Sequence, residues 1–173
     1  QPLMVIQVSF KYNKKKSLQY LNQIRLHEVS SEMLINYHKR AVALFLCEII
    51  SRCLKEGSKD EGVYNFIYNQ INWINQKSNS ANNFDIWFLA NFTKTLGISP
   101  NYYEIQKESI NFFNIETASF VGQTKRGNWN RESSIILYEL LNMDTDHLKN
   151  FSLTNNLSKF VLDGLVKHYS FHL

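Results

Sequence analysis

The sequence predicts a mainly α protein: a helical domain with a short β segment at its N-terminus and a small extended excursion around 110–121. Three observations carry that expectation. Residues 84–96 are apolar nearly all round and sit between helix start and stop signals; four further stretches have helical periodicity; strand-like patterning is concentrated in the first 29 residues. At 173 residues and 44% hydrophobic, the chain is long enough for one domain with a sizeable core, or a domain plus part of another.

Residues 3–12, Leu-Met-Val-Ile-Gln-Val-Ser-Phe-Lys-Tyr, read as a strand that starts apolar and becomes alternating. Asn13-Lys-Lys-Lys-Ser17 is a polar connection, and Leu18 to Val29 resembles a second strand. Two strands with a basic loop are not a stable unit alone, so the chain is expected to begin inside a domain. Ser30 or Ser31 is the expected cap of a helix running to Glu56, heavily apolar from Ala41 to Ile50. A further helix spans about Asp60 to Gln76, with Val63, Phe66, Ile67, Ile71 and Ile74 on one face.

The central helix follows. Asn83 is its expected N-cap, Asp85 puts a carboxylate in the first turn, and Gly97 with Pro100 ends it. Phe84, Ile86, Trp87, Phe88, Leu89, Ala90, Phe92 and Leu96 leave almost no polar face, so other helices must wrap it. Asn91 and Lys94 interrupt it, and it is too short for a membrane span. Ile110–Ile115 and Ser119–Val121 look like two short strands. Helices are then expected over Arg131–Asn142, Thr145–Phe151 and Thr154–His172.

Charge is unevenly placed. Residues 1–40 hold Lys11, Lys14, Lys15, Lys16, Arg25, Lys39 and Arg40 against Glu28 and Glu32, a net +5, while the remainder carries −1. The cluster Lys11, Lys14, Lys15 and Lys16, flanked by Phe10, Tyr12 and Tyr20, offers phosphate neutralisation and stacking surfaces; the competing reading is a solubilising loop. Cys47 and Cys53 lie six apart on a helix and point to different faces, so two buried thiols in a reducing compartment are expected. His168 and His172 have a spacing that can hold a metal, but no third ligand is nearby, and histidines in a last turn also complement the helix dipole. Asp144 and Asp146 read as helix-start residues. No HExxH, GxSxG, P-loop or GxGxxG sequence occurs, so catalysis has no visible foothold.

Several segments in order resemble the RecO family of bacterial DNA repair and recombination mediators: Pro2–Tyr12 with Leu18–Leu26, Ala41–Ile50, Asn83–Leu89 with Leu96-Gly-Ile-Ser-Pro-Asn101, Phe113–Phe120 and Leu162–His172. The resemblance covers nearly the whole chain. It implies that residues 1–29 are the terminal strands of an OB-fold domain and 30–173 an α-helical domain. It further implies a cytoplasmic bacterial protein that binds single- and double-stranded DNA, with Lys11, Lys14, Lys15, Lys16 and Arg25 as the DNA-binding candidates. Annealing of strands and loading of recombinase without covalent catalysis follow from it, with RecR and the acidic tail of the single-stranded-DNA-binding protein as partners. Such a tail needs an apolar slot and a basic rim, for which Lys39, Arg40, Lys125, Arg126 and Arg131 are candidates. Many family members carry a four-cysteine zinc site after the central helix; no cysteine lies between Pro100 and Asn130 here, so no metal or other cofactor is expected. The alternative is an α-helical protein–protein adaptor with no nucleic-acid role.

Overall fold

In the computed structural model, residues 3–27, 32–54, 59–102, 112–122 and 129–173 are described. The element order is β1 (Ile6–Phe10), β2 (Leu21–Leu26), α1 (Glu32–Ile35), α2 (Tyr37–Cys53), α3 (Glu61–Ile74), α4 (Phe84–Thr95), β3 (Phe112–Asn114), β4 (Ser119–Val121), α5 (Arg131–Asn142), α6 (Thr145–Leu148) and α7 (Asn155–His172).

The greasy stretch is the central post. Phe84 and every residue from Ile86 to Thr93 are buried, because α2, α3, α5 and α7 all pack on α4. An aromatic ladder runs along it: Trp73 stacks on Phe84, Phe66 on Phe92, and Phe88 touches Phe66, Phe84 and Phe92. The polar interruptions have a purpose. Trp87, Asn91 and Lys94, four and three residues apart, share one face, and each donates to a main-chain carbonyl where α5 ends: Met143 at 2.9 Å, Leu140 at 2.9 Å, and Leu141. Tyr169 of α7 donates to Leu89 at 2.8 Å from the other side, and its burial pushes the phenol far above its usual range.

Two expected helix starts are corrected. Asn83 does not cap α4 with its side chain; it adopts φ 56°, a left-handed conformation that Asn tolerates, and its amide donates to Phe151 O at 3.3 Å. The helix expected from residue 30 is broken at Asn36, whose Oδ1 accepts from His38 N (3.0 Å) and Lys39 N (3.2 Å) and so starts α2 afresh. Asn prefers such a cap to a helix interior. Ser30 and Ser31 lie outside the described residues, as do Ile110 and Asn111 of the expected strand. The remaining starts follow expectation: Asp144 caps α6 through Asp146 N and His147 N, and Gly97 ends α4's turn at φ 72°.

α7 is fastened by its histidines. The ring of His168 donates from Nε2 to Ile98 O at 2.8 Å, and His172 does the same to Ile115 O at 2.8 Å, so both are committed to loop carbonyls. Trp129 sits between β3 and α7, edge-on to Phe113 and Phe160, directly over Gly164.

Candidate nucleic-acid interface

β1 and β2 form an antiparallel hairpin in which Ile6 faces Leu26, Val8 faces Ile24 and Phe10 faces Leu21. Asn22 is the extra residue of a bulge, and the one-residue shift returns Leu21 to the face of Ile24 and Leu26. The result is one apolar face, 38–58% exposed along its length, and one polar face carrying Gln7, Ser9, Gln23 and Arg25. Arg25 lies against Gln23, which accepts from its Nε at 3.0 Å and a terminal nitrogen at 2.9 Å.

The loop at the tip is folded on itself. Lys16 N donates to Asn13 O at 3.1 Å, closing a turn, and Lys15 N donates to Asn13 Oδ1 at 3.0 Å. Gln19 then clamps the turn: its oxygen accepts from Asn13 N at 2.8 Å, and its amide donates to Asn13 O at 3.0 Å and Lys16 O at 2.7 Å. With the backbone held in this way, Lys11, Lys14, Lys15 and Lys16 project into solvent around a concavity of about 510 Å³. No acidic residue occurs in residues 1–27, and no ion pair joins these lysines to an acidic side chain among the described residues. The positive field at the tip is therefore paired with no carboxylate among the described residues. The four lysines are together as expected, and Arg25 stands on the hairpin's polar face. Asn13 and Gln19 escaped the sequence reading; an Asx turn at Asn13 was the one available signal.

The rim candidates fare differently. Lys39 is corrected: it is 2% exposed, and its ammonium donates to Gln76 O at 2.7 Å beyond the end of α3, with Glu32 at 3.8 Å. Burial pushes its pKa down, against the opposing pull of Glu32. Lys39 shares a stripe with Ala43 and Leu46, both buried, whereas Arg40 is turned out to solvent. Arg131 is exposed at the start of α5, and Lys125 and Arg126 lie outside the described residues. The apolar groove of about 720 Å³ between residues 3–6 and α3, and that of about 370 Å³ between α2 and α7, are not lined by Lys39, Arg40 or Arg131.

Among the described residues, no group of three or more His, Cys, Asp or Glu side chains is placed to hold a metal ion, and no helix is long and apolar enough to cross a membrane. Fold and site together define a mainly helical domain that displays a cationic β-hairpin. The family profile described as "Recombination protein O C terminal" matches residues 35–173. The chain is 25% identical over 174 residues to the DNA repair protein RecO of Azobacteroides pseudotrichonymphae, covering 99% of this chain and 71% of that protein. It is 25% identical to the RecO of Phocaeicola vulgatus (100% and 72% covered) and 24% to that of Porphyromonas gingivalis (99% and 71%). No solved structure matches. The chain belongs to the RecO family of DNA repair proteins.

Proposed function

We propose that this protein acts in DNA repair and recombination by holding DNA on the hairpin tip, through Lys11, Lys14, Lys15 and Lys16 with Arg25 beside them. The observation that carries this reading is the clamped turn: fixing the loop before binding removes ordering cost from a site whose cations form no ion pair among the described residues. The protein then anneals strands and helps load recombinase onto single strands, with no covalent chemistry of its own. It works in the bacterial cytoplasm with RecR and with the acidic tail of the single-stranded-DNA-binding protein. Support for these steps is family membership, together with the apolar grooves beside α3 and between α2 and α7. We further propose that residues 1–29 are the closing strands of an OB-fold whose other strands cover the exposed face of Ile6, Val8, Phe10, Ile24 and Leu26.

Fluorescence anisotropy of a labelled oligonucleotide across a salt series tests the reading. The Lys14→Ala/Lys15→Ala/Lys16→Ala variant should lower the log–log salt slope by about 2–3, since each lost phosphate contact removes about 0.7–0.9. An unchanged slope would remove the loop from the binding surface and leave a helical adaptor as the better account.

A further inference from the structure

We propose that Tyr12 and Tyr20 are base-stacking residues, so that the hairpin tip takes unpaired DNA and engages it through bases as well as phosphates. This rests on the reading of the tip as a DNA-binding site and deepens it. Tyr12 is 67% exposed and Tyr20 76%, and both line the same concavity as the lysines. Neither is in the hydrophobic core of the described residues, so that core does not call for a large ring at either position. Lys16 Nζ sits 5.1 Å from the centroid of the Tyr20 ring, which steadies the ring beside a phosphate-binding cation and leaves most of its surface open. A tyrosine loses little conformational freedom on binding and presents a flat apolar face. Every base has a π-face, so stacking on such rings is indifferent to sequence. In a duplex those faces are already stacked on neighbouring pairs. Lysines grip both forms of DNA; the tyrosines grip one.

The test uses three labelled probes of equal length: a single strand of about 20 nucleotides, longer than a site of about 4–16; its duplex; and a strand of abasic residues. In the full chain, Tyr12→Ala/Tyr20→Ala should weaken single-strand binding at least about fivefold, the lower end of ring removal. Duplex and abasic binding should stay within about twofold, and the salt slope should not move, because no cation is lost. Tyr12→Phe/Tyr20→Phe should bind all three probes like the parent, which also excludes a folding defect as the cause. Equal weakening on all three probes, or none on the single strand, overturns the inference. The two readings fail separately. If the triple lysine variant flattens the salt slope on every probe while the tyrosine variant shows no preference, stacking alone is wrong. If the lysine variant changes nothing, the hairpin is not the site and both readings fall.

Discussion

Gly164 lies mid-helix in α7, where intrinsic propensity favours alanine by about 1 kcal/mol. A substitution to Ala is thus a contest between two effects of opposite sign. A Cβ built on Gly164 would lie 2.5 Å from Cε2 and 2.8 Å from Nε1 of Trp129, and closer still to Cζ2. Ordinary carbon contacts are about 3.5–4.0 Å, so the ring would have to move by more than about 1 Å. It has little room. Trp129 is 3% exposed, packs edge-on to Phe113 at 5.3 Å and Phe160 at 5.9 Å, and its main chain donates to Phe113 O at 2.9 Å. Overpacking of this kind costs about 1–3 kcal/mol, and an overlap this deep belongs at the upper end. After the propensity gain, Gly164→Ala should destabilise by about 2 kcal/mol, or about 4–8 °C in Tm for a chain of this size. Thermal and urea unfolding followed by circular dichroism reads both. The control is Trp129→Ala, itself costing about 3–5 kcal/mol: in that background Gly164→Ala should be neutral or stabilising by up to about 1 kcal/mol, a coupling of about 3 kcal/mol. A single variant as stable as the parent would refute the steric account of why α7 carries glycine there.

Removing the loop clamp should separate geometry from charge: Gln19→Ala is expected to weaken DNA binding about 2- to 10-fold, the cost of ordering a freed turn, with the salt slope unchanged. A changed slope would mean that the clamp is not merely positional. Burial first, and then the neighbouring His172, depress the pKa of His168 below 6.5, while its bond to Ile98 works the other way. The unfolded chain therefore binds that proton more readily than the folded one, and stability should fall as pH drops through 6.5 towards the depressed value, by at most about 1.4 kcal/mol per pH unit. Urea midpoints from pH 7 to 5 measure it, and His168→Gln, whose amide can still donate to Ile98, should flatten the slope; an equal slope in that variant would assign it elsewhere. Lys39→Met should cost about 0.5–1.5 kcal/mol by removing the ammonium's bond to the Gln76 carbonyl, which keeps Asn79 N at 3.1 Å, against less than about 0.5 kcal/mol for Arg40→Met. Equal urea midpoints for the two would contradict the buried role of Lys39.

What could be read from sequence was whatever depended on period and on local punctuation. The all-round apolar helix, the alternation of β1, the start of α5 and the Asp144 cap all follow from neighbours within four residues. What escaped depended on partners far along the chain. Asn83 has the composition of a cap, yet its side chain is drawn to Phe151 O and Ser158, 68 and 75 residues away, and the cap is given up. Lys39 was grouped with Arg40 by charge, although its place four residues before Ala43 already put it on the buried stripe. Asn91 and Lys94 passed for blemishes in an apolar helix because the carbonyls they serve belong to α5. At the candidate site, the lysines were plain from composition; the clamp that shapes them was not, since Gln19 bonds across a loop with no sequence pattern of its own.

The fate of the cations bears on how net charge relates to the proposed DNA binding. Lys39 and Lys94 both send their ammonium groups to main-chain carbonyls at or just beyond helix C-termini, where the dipole favours positive charge. Burial lowers the pKa of each, so each is held at some electrostatic cost and contributes to the helical scaffold more than to the field outside it. Arg52 and Lys149 are drawn to Glu48 and Asp146 on their own helices and surroundings. The hairpin lysines are used in neither way: they cap no helix and face no carboxylate among the described residues. A modest formal charge of +4 can thus coexist with a strong local potential, because Lys39, Lys94, Arg52 and Lys149 are engaged by carbonyls and acids while the tip lysines pair with no acid among the described residues. It follows that salt dependence should track the hairpin rather than the overall charge. Neutralising an equal number of scaffold lysines should alter stability and leave the slope of DNA affinity against salt where it was.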